Sequence, residues 1–181
     1  LESNNKFKGW ILTYSLLLSF LNTMTSSFRN LKDSFVSGLI SKSEFIEKAH
    51  LQFHSLLLAY SSDIGITDIS RIEITHEKVV MTTKIDNISL IVDPNDHRVV
   101  PIETLNFNHY EPIETDIVRR IAPQIDCMLD IGANIGWYSL LVSSVNCRSS
   151  IYSFEPIPAT FARLKQNCFI NNAKNINCLN Y

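Results

Sequence analysis

The spacing of apolar residues changes character three times along the chain, and each change marks a different kind of element. A first apolar run extends from Trp10 to Leu21 and reads as a helix. The stretch "FRNLKDSFVSGLI" then reads as a connector, with Gly38 near its end. The tetrad "SKSE" at Ser41 to Glu44 is a capping box. Its first serine oxygen accepts from a free main-chain N–H while the glutamate reaches back. Behind it Phe45, Ile46, Ala49, Phe53, Leu56, Leu57 and Tyr60 recur at helical steps, which predicts one amphipathic helix face. "SSDIG", with Gly65 as the breaker, ends that helix.

From Arg71 to Phe107 the period falls to two. "RIEITHEKVVMTTKI" and "NISLIVDPNDHRVVPIETL" are rich in Ile, Val and Thr, with "IDN" and "DPND" as turns. This predicts a small antiparallel hairpin or three-stranded ribbon. "HYEPIETDIVRRIAPQID" returns to helix. Pro112 suits its first turn, Glu114 and Asp116 its positive end. Ile113, Ile117, Val118 and Ile121 form the expected buried stripe, and Pro123 stops it.

Strand and helix then alternate. "IDCMLDI" reads as a buried strand, "IGWYSLLVSSV" as a helix and "SIYSFE" as a second strand. "PATFARLKQNCFINN" is a second helix with Phe161, Leu164, Cys168 and Phe169 on one side, and "NINCLNY" begins a third strand. Such alternation implies a parallel sheet with right-handed crossovers. The chain is therefore expected to be α/β. A helical region covers 1–66, an antiparallel β ribbon 67–110, and the first part of a parallel α/β domain 111–181.

Composition narrows the function. With 181 residues, 45% hydrophobic, 19% charged, a net charge of −2 and a pI near 6.2, the chain is globular and offers no bulk basic surface to nucleic acid. Cys127, Cys147, Cys168 and Cys178 show no metal spacing and read as reduced thiols, mostly packing residues, in a cytoplasmic protein. His50 and His54 sit four apart without an acidic neighbour, so they read as surface or boundary residues rather than metal ligands. Residues 6–26 resemble a secretory signal or membrane-surface segment in layout, with two lysines ahead of an apolar run. The run is too short for a membrane span, and a buried helix is the preferred reading.

The candidate chemistry lies in "MLDIGANIGWYSL", Met128 to Leu140. A strand ending in Asp130, a loop of small residues and a following helix place main-chain N–H groups at the carboxyl edge of a sheet, where open α/β folds bind ligands. Glycine at 132 and 136 lets a ligand approach the backbone. Nineteen positions after Gly136, Glu155 ends the next strand in "FEP", where a carboxylate holds ribose hydroxyls in nucleotide-binding βαβ units. A dinucleotide fingerprint would need glycines cradling a pyrophosphate, and Asp130 would repel one. A carboxylate there suits the ammonium of S-adenosyl-L-methionine, with Glu155 on its ribose.

"LDIGANIGWYSL" followed by "IYSFEPIPATFARLKQNCFINN" resembles the FkbM family of class I S-adenosylmethionine-dependent methyltransferases, and "YEP" at Tyr110 to Pro112 is similar to the family's lead-in. The resemblance covers about residues 70–181. It implies an incomplete Rossmann-like class I methyltransferase sheet, its first three strands, behind the helical region and the ribbon. It further implies that Asp130, Gly132, Asn134 and Gly136, with Ala133 in the same loop, line the methionine part of the cofactor. Glu155 would hold the ribose and Ile157 border the adenine. The implied reaction is O-methylation of a sugar, polysaccharide or other small-molecule hydroxyl. The residues select no particular acceptor, catalytic base or oligomeric state; Glu111 is a weak candidate base.

Structural roles compete at each position. Gly132 and Gly136 can serve only a tight turn, Asn134 can be a helix cap, Glu155 can be a surface acid, and Trp137 and Tyr138 read as packing residues. At the level of function, the alternatives are a tRNA or other nucleic-acid methyltransferase, whose spaced asparagines Asn167 and Asn171 would match, and a non-catalytic binding module. A sheet of three strands leaves one edge unpaired, so a fragment ending at Tyr181 is expected to be marginally stable and inactive.

Overall fold

The computed structural model describes residues 27–96 and 100–181. The apolar run from Trp10 to Leu21 and the signal-like segment lie outside the described residues. The chain divides into two units, Leu1–Ser62 and Asp63–Tyr181.

In the first unit the expected connector is a helix, α1 (Phe28–Val36). Ser27 caps it by accepting from the Asn30 N–H at 3.3 Å, and Gly38 leaves it at φ +75°. A side-chain cap and a left-handed exit are sufficient to bound a helix. Helix α2 (Lys42–Ala49) opens on the capping box, with Ser41 N–H donating to Glu44 Oε2 at 2.8 Å and Glu44 N–H to Ser41 Oγ at 3.2 Å. A π-turn at His50–His54 separates it from α3 (Ser55–Asp63). The wider turn breaks the 3.6-residue phase, so the predicted single stripe does not hold. Phe45 and Phe53 pack on Phe28, with ring centroids 6.1 and 5.3 Å away. Ile46, Leu56, Leu57 and Tyr60 are exposed, as are His50 and His54.

The second unit begins with an antiparallel ribbon, β1 (Ile69–Ile74), β2 (Val79–Thr83) and β3 (Ser89–Ile91), in the order β1-β2-β3. The first period-two run folds back on itself at Thr75 to Lys78, where the Thr75 hydroxyl and N–H both donate to the Lys78 carbonyl. β3 ends at Ile91, and the predicted extended run does not resume over residues 92–96. Ile102–Phe107 forms a short helix, α4, instead.

Helix α5 (Pro112–Ile121) starts on Pro112 as expected, but its buried stripe is rotated. Ile113, Ile117 and Ile121 are exposed; Thr115 and Ala122 are buried and Val118 is half-buried. Polar contacts set the rotation. The Thr115 hydroxyl donates to Tyr110 O and accepts from Trp137 Nε1, and Arg119 forks onto Asp86 at 2.6 and 3.0 Å. Buried polar groups must be paired, so this face turns inward and the isoleucines turn out.

The rest is βαβαβ: β4 (Cys127–Ile131), α6 (Trp137–Val145), β5 (Ser150–Phe154), α7 (Pro158–Ile170) and β6 (Ile176–Leu179). The strands are parallel in the order β4-β5-β6, and the α/β class is as the sequence predicted. Met128, Ile151, Ile176 and Cys178 pack against residues of α6 and α7 such as Leu140, Val142 and Leu164. The alternate residues face away. Leu129 is 64% exposed, Ile131 75% and Tyr152 37%, so the described residues cover β4 on one face only. A parallel strand is buried throughout only when layers cover both faces. For the same reason Cys127 is exposed, as are Cys147 in the loop after α6 and Phe169 on the outside of α7. Cys168 and Cys178 are the packing thiols.

A polar ladder on α7 joins the ribbon to this sheet. Arg163, Asn167 and Asn171 are four residues apart, hence on one helix face. Arg163 Nη1 donates to Val92 O at 3.0 Å. Asn167 Oδ1 accepts from Ile91 N–H at 3.0 Å, and its Nδ2 donates to Ile135 O at 2.9 Å. Asn171 exchanges two bonds with the Ser89 backbone. The outer edge of β3 is thereby paired by side chains. No helix among the described residues is long and apolar enough to cross a membrane.

Asn167 is fully buried, so Asn167→Ala strands one N–H and one C=O away from water. The expected loss is about 2–4 kcal/mol, read as a lower urea midpoint, with faster amide exchange at Ile91.

Candidate functional site

The loop from Gly132 to Gly136 joins β4 to α6 at the carboxyl edge of the parallel sheet. Three of its residues have positive φ: Gly132 at +78°, Asn134 at +51° and Gly136 at +93°. The chain therefore reverses direction in a few residues, and its inner side is pinned to β5. Gly132 N–H and Ala133 N–H both donate to Phe154 O at 2.9 Å. Asn134 N–H donates to Glu155 Oε2 at 3.0 Å.

The two glycines serve different ends. A Cβ on Gly136 would lie 2.5 Å from Leu164 Cδ1, so this position allows α6 and α7 to approach. A Cβ on Gly132 would meet nothing within 4 Å, so that backbone faces open space. Ala133 is buried in the core cluster and is a packing residue. Asn134 is not a helix cap: α6 begins at Trp137 with Gly136 as the capping position, and no capping side-chain bond is made by it.

Glu155 is 5% exposed and not a free surface acid. Its Oε1 accepts from Ile157 N–H at 2.9 Å and its Oε2 from Asn134 N–H. A carboxylate has about four acceptor sites, so among the described residues each oxygen keeps one. The Glu155 backbone is held as well: its N–H donates to Leu179 O, and Asn180 Nδ2 donates to its carbonyl at 2.7 Å. Ile157, beside it, is 59% exposed and presents an apolar rim.

Asp130 points toward α6. Its Oδ2 accepts from the Ser139 hydroxyl at 2.5 Å, and that hydroxyl also meets Ser153 Oγ at 2.6 Å. Burial pushes the Asp130 pKa above its ordinary value, while the hydroxyl and main-chain N–H of Ser139 pull it back. Ser139 lies in the first turn of α6, so Asp130 caps that turn from the neighbouring strand and complements the positive helix end. Ser139 and Ser153 were not singled out from the sequence. The available signal was a serine three residues after Gly136, interrupting an apolar helix.

The lead-in to α5 is fastened beside the same loop. Tyr110 meets the Trp137 ring edge-on at 5.9 Å, and the Tyr138 hydroxyl donates to Glu111 Oε2. Trp137 is a packing residue as expected; Tyr138 is half-buried and carries a polar role besides. Glu111 is held in the left-handed region at φ +39°. Burial and the adjacent Glu111 push the Tyr110 pKa up to about 12. A cavity of about 210 Å³ opens next to this segment, lined by Asp68, His109, Tyr110, Thr115, Arg119 and Trp137 among others. A second of about 440 Å³ lies at the other end of α6, near Asp86, Ser143, Cys147 and Lys174. No group of three or more His, Cys, Asp or Glu is placed to hold a metal among the described residues.

No protein-family model matches the chain. No curated protein matches it. Among solved structures it is similar to two proteins of Pyrococcus horikoshii. One is TYW2 in complex with MeSAdo, at 16% identity and TM-score 0.42, over 74% of this chain and 50% of that one. The other is PH0793, provisionally named a transferase, at 17% identity and TM-score 0.37, over 56% of this chain and 36% of that one. The chain spans half the length, or less, of each.

The raised Asp130 pKa fixes the sign of a pH effect. Between its unfolded value of about 3.8 and its higher folded value, the native state binds the extra proton. The stability Asp130 contributes is full below that window and is lost as pH rises through the folded pKa. Relative to Asp130→Asn, the wild type is expected to lose stability as pH rises from 3.8, checked by urea unfolding of both proteins across that range.

Proposed function

We propose that this chain carries the cofactor-binding part of an S-adenosyl-L-methionine-dependent methyltransferase of the FkbM kind, acting on a hydroxyl oxygen of a sugar, polysaccharide or other small molecule. The observation that carries the reading is the pairing of the open Gly132 backbone with a buried Glu155 carboxylate that retains one acceptor site on each oxygen. Two vicinal ribose hydroxyls need two acceptor sites side by side, and Glu155 has them. Gly132 lets the ligand lie against the main chain, Ile157 offers the adenine an apolar edge, and Asn134 is the loop residue tied to Glu155. When bound, the cofactor supplies an electrophilic methyl group on a sulfonium.

The chain's own part is positioning. Holding two reactants in line converts a bimolecular step into an effectively unimolecular one. Asp130 acts through the first turn of α6, whose Ser139 hydroxyl it engages. Glu111 stands at the lead-in to α5 with its carboxylate engaged by Tyr138; as the base for a hydroxyl acceptor it would first have to exchange that bond. A small acceptor is favoured over nucleic acid by the charge distribution. Arg119, Arg120 and Arg163 each pair with a carboxylate, and Lys84 Nζ is spent on the carbonyls of Ile64, Gly65 and Thr67. Surface thiols at Cys127 and Cys147 suit a reducing compartment, and the reading places the protein in the cytoplasm.

Calorimetric titration with S-adenosylmethionine tests the reading. The folded protein is expected to bind it, and Glu155→Gln to weaken binding at least about tenfold, the worth of a hydrogen bond to a charged group. Gly132→Ala is expected to cost about 1 kcal/mol of stability from its positive φ and to weaken binding as well, because its methyl group enters the ligand side. A folded protein that binds no cofactor, or a Glu155→Gln variant with undiminished affinity, would overturn the assignment. A mobility shift with RNA at low salt would overturn the small-acceptor reading.

A further inference from the structure

Cys168 on α7 and Cys178 on β6 face each other with their sulfurs 3.7 Å apart. Both belong to the main core cluster, Cys168 buried and Cys178 half-buried at its margin. Neither bonds a metal or forms part of the loop at the sheet edge. Sulfur atoms in a disulfide lie about 2.05 Å apart, so the gap to close is about 1.7 Å.

We propose that Cys168 and Cys178 are a peroxide-oxidised pair that forms a disulfide stapling α7 to β6. The chemistry divides between them. Cys178 is the more accessible, half-buried where Cys168 is buried, so peroxide reaches its sulfur first, and the Lys165 ammonium favours its thiolate, the nucleophilic form. The Cys178 thiolate attacks one peroxide oxygen; the S–O bond forms, the O–O bond breaks, and the departing hydroxide takes a proton to become water. Cys168 then attacks the Cys178 sulfur of the resulting sulfenic acid. The S–S bond forms, the S–O bond breaks, and the hydroxyl leaves as a second water with the Cys168 proton. Two thiols and one hydrogen peroxide give one disulfide and two waters.

The neighbours of the pair give the staple its reach. Asn167 precedes Cys168 and carries the bonds to Ile91 and Ile135. Asn180, two residues past Cys178, holds the Glu155 and Pro156 carbonyls. Tying α7 to β6 therefore stiffens both supports of the loop. Cys127 and Cys147 are exposed and lie on other elements.

The test is oxidation of the 181-residue protein with stoichiometric hydrogen peroxide, alkylation of remaining thiols, and peptide mapping by mass spectrometry. The expected product is a Cys168–Cys178 linked peptide, lighter by two hydrogens and restored by dithiothreitol. In a Cys127→Ser, Cys147→Ser background, oxidation is expected to raise Tm by about 5 °C, and adding Cys168→Ser abolishes the shift. Alkylation of both Cys168 and Cys178 after peroxide overturns the proposal. So does Cys178 recovered as sulfinic acid beside a free Cys168 thiol. The mapping uses the wild-type chain, so a variant that fails to fold leaves that readout intact.

Discussion

One buried amide, Asn167, holds three pieces of this unit at once. It accepts from the outer strand of the ribbon at Ile91, donates to the loop at Ile135, and is itself carried on α7. No water reaches it, so both bonds are obligatory; a donor or acceptor left unpaired there costs more than a made bond gains. Arg163 and Asn171, one turn to either side, extend the contact along β3 and the residue after it. An open strand edge is a site for unwanted pairing, and here side chains take the place of a further strand. The ribbon is thus bonded to the same helix that supports the loop.

Two carboxylates at this edge of the sheet, Asp130 and Glu155, both serve its construction. Asp130 ties the first turn of α6 to β4 through the Ser139 hydroxyl. Glu155 spends one acceptor site per oxygen on the backbone at Asn134 and Ile157. Glu155 ties the loop to the end of β5, and Asp130 ties β4 to α6. They differ in what is left: Glu155 keeps two acceptor sites beside the open Gly132 backbone, whereas Asp130 is turned toward the helix layer.

The uncovered face of the parallel sheet is the structural counterpart of the way α6 and α7 pack. Both helices bury the side of Met128, Ile151 and Ile176, and Leu129 and Ile131 on the other side stay in contact with solvent. Apolar strand residues contribute stability only where a second layer removes them from water. The apolar pattern of "CMLDI" is that of a strand suited to cover on both sides, and the described residues supply one.

Period and punctuation alone were enough for the α/β class, the ribbon, the start of α5 at Pro112, the capping box at Ser41, and the order of strands and helices after residue 125. These are local properties: a cap, a proline or an alternation acts on its own neighbours within a few residues. The loop and Glu155 were equally legible, because small residues after a strand and an acid one βα unit later are set by the geometry of that unit. Rotation and burial were not legible. That Thr115 rather than Ile113 faces inward, that the π-turn at His50–His54 splits a stripe, and that Gly136 makes room for Leu164 while Gly132 does not were decided by partners distant in the chain. A buried polar group must find its mate wherever the fold brings one, and no spacing along the sequence names Ile91 as the mate of Asn167.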